Sequence, residues 1–205
     1  MDAADQVPPV ANLWRYTREA GADLAIFSGG KGLTGPQASG LIVGRADLVR
    51  ACRVNSGPGH SVGRPAKVGK EELVGLLAAV EMALAGDEAA TLRGYDAMVA
   101  GWLAGLAELT ALPGVRLEQD PESHIGQPIP RVIVRLPGAE ARDAAVAALW
   151  AGDDEGCRIA VLPDGADGLA LNPQGVGTGE DQIVLAATAR AVEGVVGIGA
   201  AARVP

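Results

Sequence analysis

Lys31 is the side chain best placed in this sequence to do covalent chemistry. It stands in Asp23-Leu-Ala-Ile-Phe-Ser-Gly-Gly-Lys31-Gly-Leu-Thr-Gly-Pro-Gln37, where a short apolar run breaks into glycines and leaves one amine on a bend. A lysine forms a Schiff base with a carbonyl when its neutral amine is available at about pH 7, through desolvation or neighbouring cations. A lysine between glycines after an apolar strand meets that need better than one on a helix face; the plain alternative is a solvated loop residue. Two rival motifs fail. A phosphate-binding P-loop requires Ser or Thr directly after the lysine, and Gly32 follows here. Ser28-Gly-Gly-Lys31 matches a Ser-x-x-Lys pattern, but no Ser-Asp-Asn or Lys-Thr-Gly lies downstream.

Other chemistry-bearing residues are sparse. Arg64, Lys67 and Lys70 recur three residues apart, a spacing that either gathers an anionic group or solvates a helix start. His60, on the glycine-rich joint 55–60, is a general acid or base by type and an exposed residue by setting. Arg131 opens an apolar strand and either reaches a cleft or pairs with an acid. Cys52 and Cys157 lack metal-ligand spacing, so no metal site is expected, and two isolated thiols suit the cytoplasm better than a disulfide scaffold. With 17 basic and 25 acidic residues the net charge is -8, which argues against a nucleic-acid partner. No run is apolar enough for a leader or a bilayer span, so no membrane association is expected.

The elements that must position Lys31 follow from pattern. Residues 24–27 and 38–43 read as strands and 12–19 as a short helix capped by Asn12, so residues 1–44 supply strand, helix, strand, lysine bend and strand. A helix over 47–54 precedes the joint. From residue 71 a helix carries Leu73, Leu76, Leu77, Val80 and Leu84 as one apolar stripe, and a second over 89–109 turns Leu92, Met98, Trp102, Leu106 and Leu109 inward. Trp102 among leucines reads as core packing. Strands are predicted at 115–118, 131–136, 158–161 and 168–171, and helices at 139–150 and 179–196, the last capped by Thr178 or its neighbour. This is an α/β portion followed by a small α+β domain with helices on one face of a mostly antiparallel sheet.

Three blocks in order extend the reading: Asp2-Ala-Ala-Asp-Gln6-Val-Pro-Pro, then Gly21 to Lys31 with Gly35-Pro-Gln37, then Gly63-Arg-Pro-Ala-Lys-Val-Gly-Lys-Glu-Glu72. Together they resemble the selenium-transferase-like branch of the fold-type I pyridoxal-phosphate enzymes, which includes seryl-tRNA selenium transferases and sugar-acid ammonia lyases. The resemblance implies a partial aspartate aminotransferase-like large domain over 1–70, connecting helices over 71–110 and a small α+β domain over 111–205. It implies pyridoxal 5'-phosphate as cofactor, with Lys31 as the Schiff-base lysine and Asp2 as the carboxylate on the pyridine nitrogen, which keeps the ring an electron sink. Gln6 falls near the ring's phenolic oxygen. Ser28 falls where relatives contact the phosphate, or serves as a turn-forming serine.

Arg64 and Lys67 fall on the basic pair that receives a small anionic, amino-bearing substrate, although lysine in place of arginine loses a bidentate fork. The implied reaction is elimination or replacement beside an amino-bearing carbon, in a homo-oligomer with sites at subunit boundaries. Met1 falls where relatives are already deep in the large domain, so the resemblance implies a truncated or reduced chain. A non-catalytic association module built on residues 71–109 and an ordinary aminotransferase remain as alternatives.

Overall fold

The structure is a computed structural model that describes residues 1–152 and 157–201, divided into two compact units, Met1–Ala90 and Thr91–Pro205. In the first unit, α1 (Asn12–Arg18) leads to β1 (Leu24–Ser28), which pairs antiparallel with β2 (Gly40–Gly44). The opposite edge of β1 is taken by the first residues of the chain, which run parallel to it through an Asp2–Ile26 bridge. Ile26 donates to the Met1 carbonyl at 3.1 Å, Ala3 to Ile26 at 2.9 Å and Ser28 to Ala4 at 3.1 Å, so both edges of β1 are satisfied. Ala25 and Phe27 point to one face and are buried there with Ala3, Val7, Leu13 and Leu33.

Asn12 does not cap α1. Ala11 occupies the cap position, and the buried Asn12 side chain instead donates from Nδ2 to the Gln6 carbonyl at 2.7 Å. A polar side chain close to a helix start has two uses, and tying down the preceding segment prevails here.

Then come α2 (Ala46–Asn55), a single 3-10 turn (Arg64–Ala66) and α3 (Lys70–Ala85). The predicted apolar stripe of α3 is its buried face only in part, through Leu76 and the half-buried Val80. Leu76 and Ala79 are buried, whereas Leu73, Leu77 and Leu84 are exposed. The reason is room: a Cβ on Gly75 would lie 2.6 Å from Pro36, and one on Gly35 would lie 3.1 Å from the Ala79 methyl. Toward the lysine loop the helix presents Leu76 together with the small residues Gly75 and Ala79, which allow the close approach.

That loop is held by space more than by conformation. A Cβ on Gly32 would sit 1.7 Å from the Val7 carbonyl oxygen, and one on Gly30 would sit 2.6 Å from the Gln37 Cα. On Gly29 it would meet the Ser39 Oγ at 2.0 Å. Hydrogen bonds close the same loop: Gly35 donates to the Gly29 carbonyl at 2.7 Å, Thr34 to Lys31 at 2.8 Å, and Gln37 Nε2 to Gly30 at 2.8 Å.

The second unit, which starts at Thr91, has an α+β architecture. After α4 (Glu88–Gly105) and a 3-10 turn (Ala107–Ala111) come β3 (Arg116–Asp120), β4 (Arg131–Arg135), α5 (Ala139–Ala151), β5 (Leu162–Asp164), β6 (Gly168–Leu171) and α6 (Glu180–Ala201). The four strands form one antiparallel sheet in the order β3-β4-β6-β5. The predicted strand over 158–161 is displaced to 162–164, because only there does the chain oppose β6. Val132, Val134, Leu169 and Leu171 face the helices and pack with Val99, Trp102, Ala145, Leu149 and Val192. Trp102 is core, its Nε1 donating to the Asp181 carbonyl at 3.0 Å. At the start of α6, Glu180 reaches back to accept from the Gly177 N–H at 2.6 Å, in place of a cap by Thr178.

On the other face of this sheet, Arg131 is structural. Its side chain is 5% exposed and donates to Asp120 at 2.5 Å and to the Glu122 carbonyl at 3.0 Å, with Asp164 at 3.8 Å. Arg135 bridges Glu118 at 3.0 Å and Asp164 at 3.0 Å. Burial alone would push the Asp120 carboxyl up. The Glu122 N–H and the Arg131 guanidinium more than offset this and hold it below its ordinary value.

Gly32→Ala should destabilise the first unit by about 3 kcal/mol or more, since its obstacle is backbone. Gly29→Ala should cost less and be partly relieved by Ser39→Ala, as read by urea unfolding of the single and double variants. In the second unit, Arg131→Ala should cost about 3 kcal/mol by stranding partly buried acids. A carboxyl depressed in the folded state contributes stability above its unfolded value and loses it as pH falls through the folded one. Stability should therefore drop in acid below about pH 4, with a shallower drop in Asp120→Asn, measured by unfolding at stepped pH.

Candidate active site around Lys31

Parallel pairing of the first residues with β1 sends both segments out of the sheet at the same end, carboxyl end beside carboxyl end. In α/β sheets that end is where loops gather to bind ligands. The segment after Ala4 and the loop after Ser28 meet there: Gly32 lies against Val7, and Lys31 Nζ lies 3.7 Å from Asp5 Oδ2. Lys31 is thus presented at the tip of a closed loop, with its position set by the glycines on either side.

The other residues singled out in the sequence divide into two groups. Asp2, Gln6 and Ser28 lie on the same two segments as Lys31. Asp2 Oδ1 accepts from the Ala4 N–H at 3.0 Å, and its residue stands level with Ile26 in the middle of β1. Gln6 Oε1 accepts from the Tyr16 hydroxyl at 3.0 Å, and the Tyr16 ring in turn lies 6.4 Å from that of Phe27. Ser28 closes β1, its N–H on the Ala4 carbonyl. Arg64 and Lys67 belong to the turn between α2 and α3 and are exposed. The Arg64 guanidinium donates to the Pro58 carbonyl, and Lys67 crowds Gly57. Among the described residues, neither is hydrogen-bonded or ion-paired to the Lys31 loop. His60 is exposed.

The residue that sequence reasoning missed is Asp5. The signal was available, since Asp2 and Asp5 lie three apart in one motif, but only the register of the parallel pairing tells which carboxylate meets the amine.

A cavity of about 340 Å³ lies in the second unit, lined by Arg158, Leu171, Asn172, Glu180 and Ile183 among others. It is lined by no lysine. No group of three or more His, Cys, Asp or Glu side chains among the described residues could hold a metal ion. No helix among them is long and apolar enough to cross a membrane. The donor set at Lys31 fits pyridoxal phosphate: an amine for its aldehyde and carboxylates on the adjoining segment for its protonated nitrogen.

Known proteins agree in the same direction. The chain is 42% identical over 133 residues to a 5'-C-glycyluridine monooxygenase-decarboxylase of a Streptomyces species, covering 63% of this chain and 31% of that protein. It is 33% identical over 124 residues to the D-glucosaminate-6-phosphate ammonia lyase of Salmonella typhimurium, covering 59% of this chain and 30% of the relative. The chain thus spans about a third of the length of these curated relatives. A solved structure of D-glucosaminate-6-phosphate ammonia-lyase matches with a TM-score of 0.57 at 27% identity, over 86% of this chain and 45% of that one. A serine palmitoyltransferase from S. paucimobilis with bound PLP matches in fold, with a TM-score of 0.51 at 16% identity over 86% of this chain and 41% of that one. No family model matches the chain. By sequence and by fold together, the chain is similar to a stretch of the pyridoxal-phosphate-dependent lyases and transferases of fold type I, spanning less than half of such a protein.

Proposed function

We propose that this chain supplies the lysine side of a pyridoxal-phosphate site that breaks a bond beside an amino-bearing carbon, by elimination or replacement. One observation carries the reading. Lys31 is held on a sterically locked loop at the end of β1, next to the parallel segment that bears Asp2, Asp5 and Gln6.

Pyridoxal phosphate, when bound, supplies an electron sink for charge left on the amino-bearing carbon. The chain's own residues do the rest. Lys31 holds the cofactor covalently and, once released, moves the proton at that carbon. Asp2 keeps the pyridine nitrogen protonated, Gln6 serves the phenolic oxygen, and Ser28 offers a hydroxyl to the phosphate. Arg64 and Lys67 receive an anionic group of the substrate, Lys67 as a point charge. The curated relatives are named as a monooxygenase-decarboxylase and an ammonia lyase, which supports bond breaking on a small amino-bearing substrate. The working form is a homo-oligomer.

A second reading, an association module without catalysis, is favoured by the exposed apolar residues Leu73, Leu77, Met82 and Leu84 on α3. Titration with pyridoxal phosphate separates the two. The enzyme reading expects an absorbance band at about 400 nm that Lys31→Ala abolishes. Asp2→Asn should weaken binding by about tenfold, as expected for one hydrogen bond to a charged group. A wild-type chain that develops no band would leave the association module standing.

A further inference from the structure

The cavity of about 340 Å³ in the second unit opens where the chain leaves the sheet. β5 pairs with β6 only from Leu162 opposite Ala170 to Asp164 opposite Gly168. Beyond Leu171 come Asn172 and Pro173, and a proline has no N–H to carry a ladder further. The segment 157–161 turns the other way, with Ile159 donating to the Leu149 carbonyl of α5 at 2.9 Å. A space therefore remains between that segment, the residues after β6 and the first turn of α6. Leu171, Ile159, Val161 and Ile183 give it apolar walls. Its size is at the small end of ligand pockets, which run from about 300 to 1,000 Å³.

Three polar side chains line the same space, each with bonding capacity left. The Arg158 guanidinium forms no hydrogen bond or ion pair among the described residues. Its stem is held against Gly152, where a Cβ would come 3.1 Å from Arg158 Cγ. Asn172 Oδ1 accepts from the Gln174 N–H at 2.8 Å. A backbone N–H can only donate, so this bond fixes the amide and leaves Nδ2 with both its hydrogens to give. Glu180 Oε2 accepts from the Gly177 N–H at 2.6 Å, which holds the carboxylate and leaves Oε1 to accept. Arg158 and Glu180 line one cavity without pairing across it. A guanidinium beside an amide offers charge-assisted donors to a carboxylate, and a separate carboxylate accepts from an ammonium. We infer that this cavity binds a small aliphatic α-amino acid as its zwitterion. The carboxylate lies on Arg158 and Asn172, the ammonium on Glu180, and the hydrocarbon side chain against Leu171 and Ile183. All of these groups belong to the second unit, and none to the Lys31 loop.

The test is calorimetric titration of the full chain, free of pyridoxal phosphate, with leucine, isoleucine and valine. Saturable binding of at least one of them is expected. For leucine, isocaproate, which lacks the ammonium, and isoamylamine, which lacks the carboxylate, should each bind about tenfold or more weakly, the loss of one charge-assisted contact. Arg158→Gln and Glu180→Gln should weaken the amino acid by a similar factor. Both positions are exposed, and glutamine keeps an acceptor for the Gly177 N–H, so the variants retain the fold. Lys31→Ala should bind as the wild-type chain does. No binding of any of the three amino acids at millimolar concentration would overturn the assignment. So would isocaproate binding as tightly as leucine, or an unchanged affinity in Arg158→Gln or Glu180→Gln. Loss of binding in Lys31→Ala would move the amino acid to the first unit and overturn it equally. With no cofactor present, each outcome is independent of whether Lys31 takes pyridoxal phosphate.

Discussion

The contact on which the first unit depends is Gly32 against the carbonyl of Val7, where even a methyl group would overlap at 1.7 Å. It joins the lysine loop to the opening segment of the chain. Gly29, Gly30 and Gly32 are not among the glycines with positive φ, so space, and not conformational freedom, requires them. The strained residue is Thr34, at φ 56°, a left-handed setting that costs a β-branched side chain about 1–3 kcal/mol. Its N–H on the Lys31 carbonyl and the Gly35 N–H on Gly29 hold it there. An amine that must meet a carbonyl carbon within a few tenths of an ångström needs such a mount, because a four-carbon side chain on a mobile loop would sample many positions.

The two units solve the burial problem differently. In the second, three helices cover one face of the sheet, and the other face is filled by arginines satisfied by acids on neighbouring strands. In the first, Ile26 and Ile42 are cross-strand partners on a face that remains exposed. The helix α2 buries no residue, and α3 turns several large apolar side chains to solvent. Apolar surface of this kind is what interaction faces are made of, and it lies in the unit that also carries the lysine.

Much of this was legible in the sequence because period and punctuation are local. The run 24–27 followed by glycines gave a strand and a bend, and the alternation in the second half gave an antiparallel sheet with helices on one face. What was not legible depended on partners distant in the chain. Leu73, Leu77 and Leu84 satisfy a helical stripe, yet they are exposed, and the buried face of α3 turns on Leu76 and Ala79, beside which Pro36 and Gly35 pack closely. Asn12 looked like a cap because nothing in the sequence shows the Gln6 carbonyl beside it. Asp5 was passed over for Asp2 because strand register is a property of the pair, and a shift of one residue exchanges the faces.

Local charge then limits what the Lys31 corner can hold. A net charge of -8 says little about it, since exposed charges farther than about 8 Å apart are largely screened at physiological salt. Nearby, the opening segment bears two acids, Asp2 and Asp5, and the loop 29–37 one base. Such a corner is suited to a group that is cationic or electrophilic, such as a protonated ring nitrogen or an aldehyde, and is poorly suited to an anion. A phosphate brought here would be stabilised by neutral donors such as Ser28 or by cations outside these two segments. The chain's cations at Arg64 and Lys67 lie on a different turn, separated from Lys31 by β2 and α2 in sequence. The division of charge thus leaves the corner around Lys31 acidic and puts the cations of residues 64–70 on another turn.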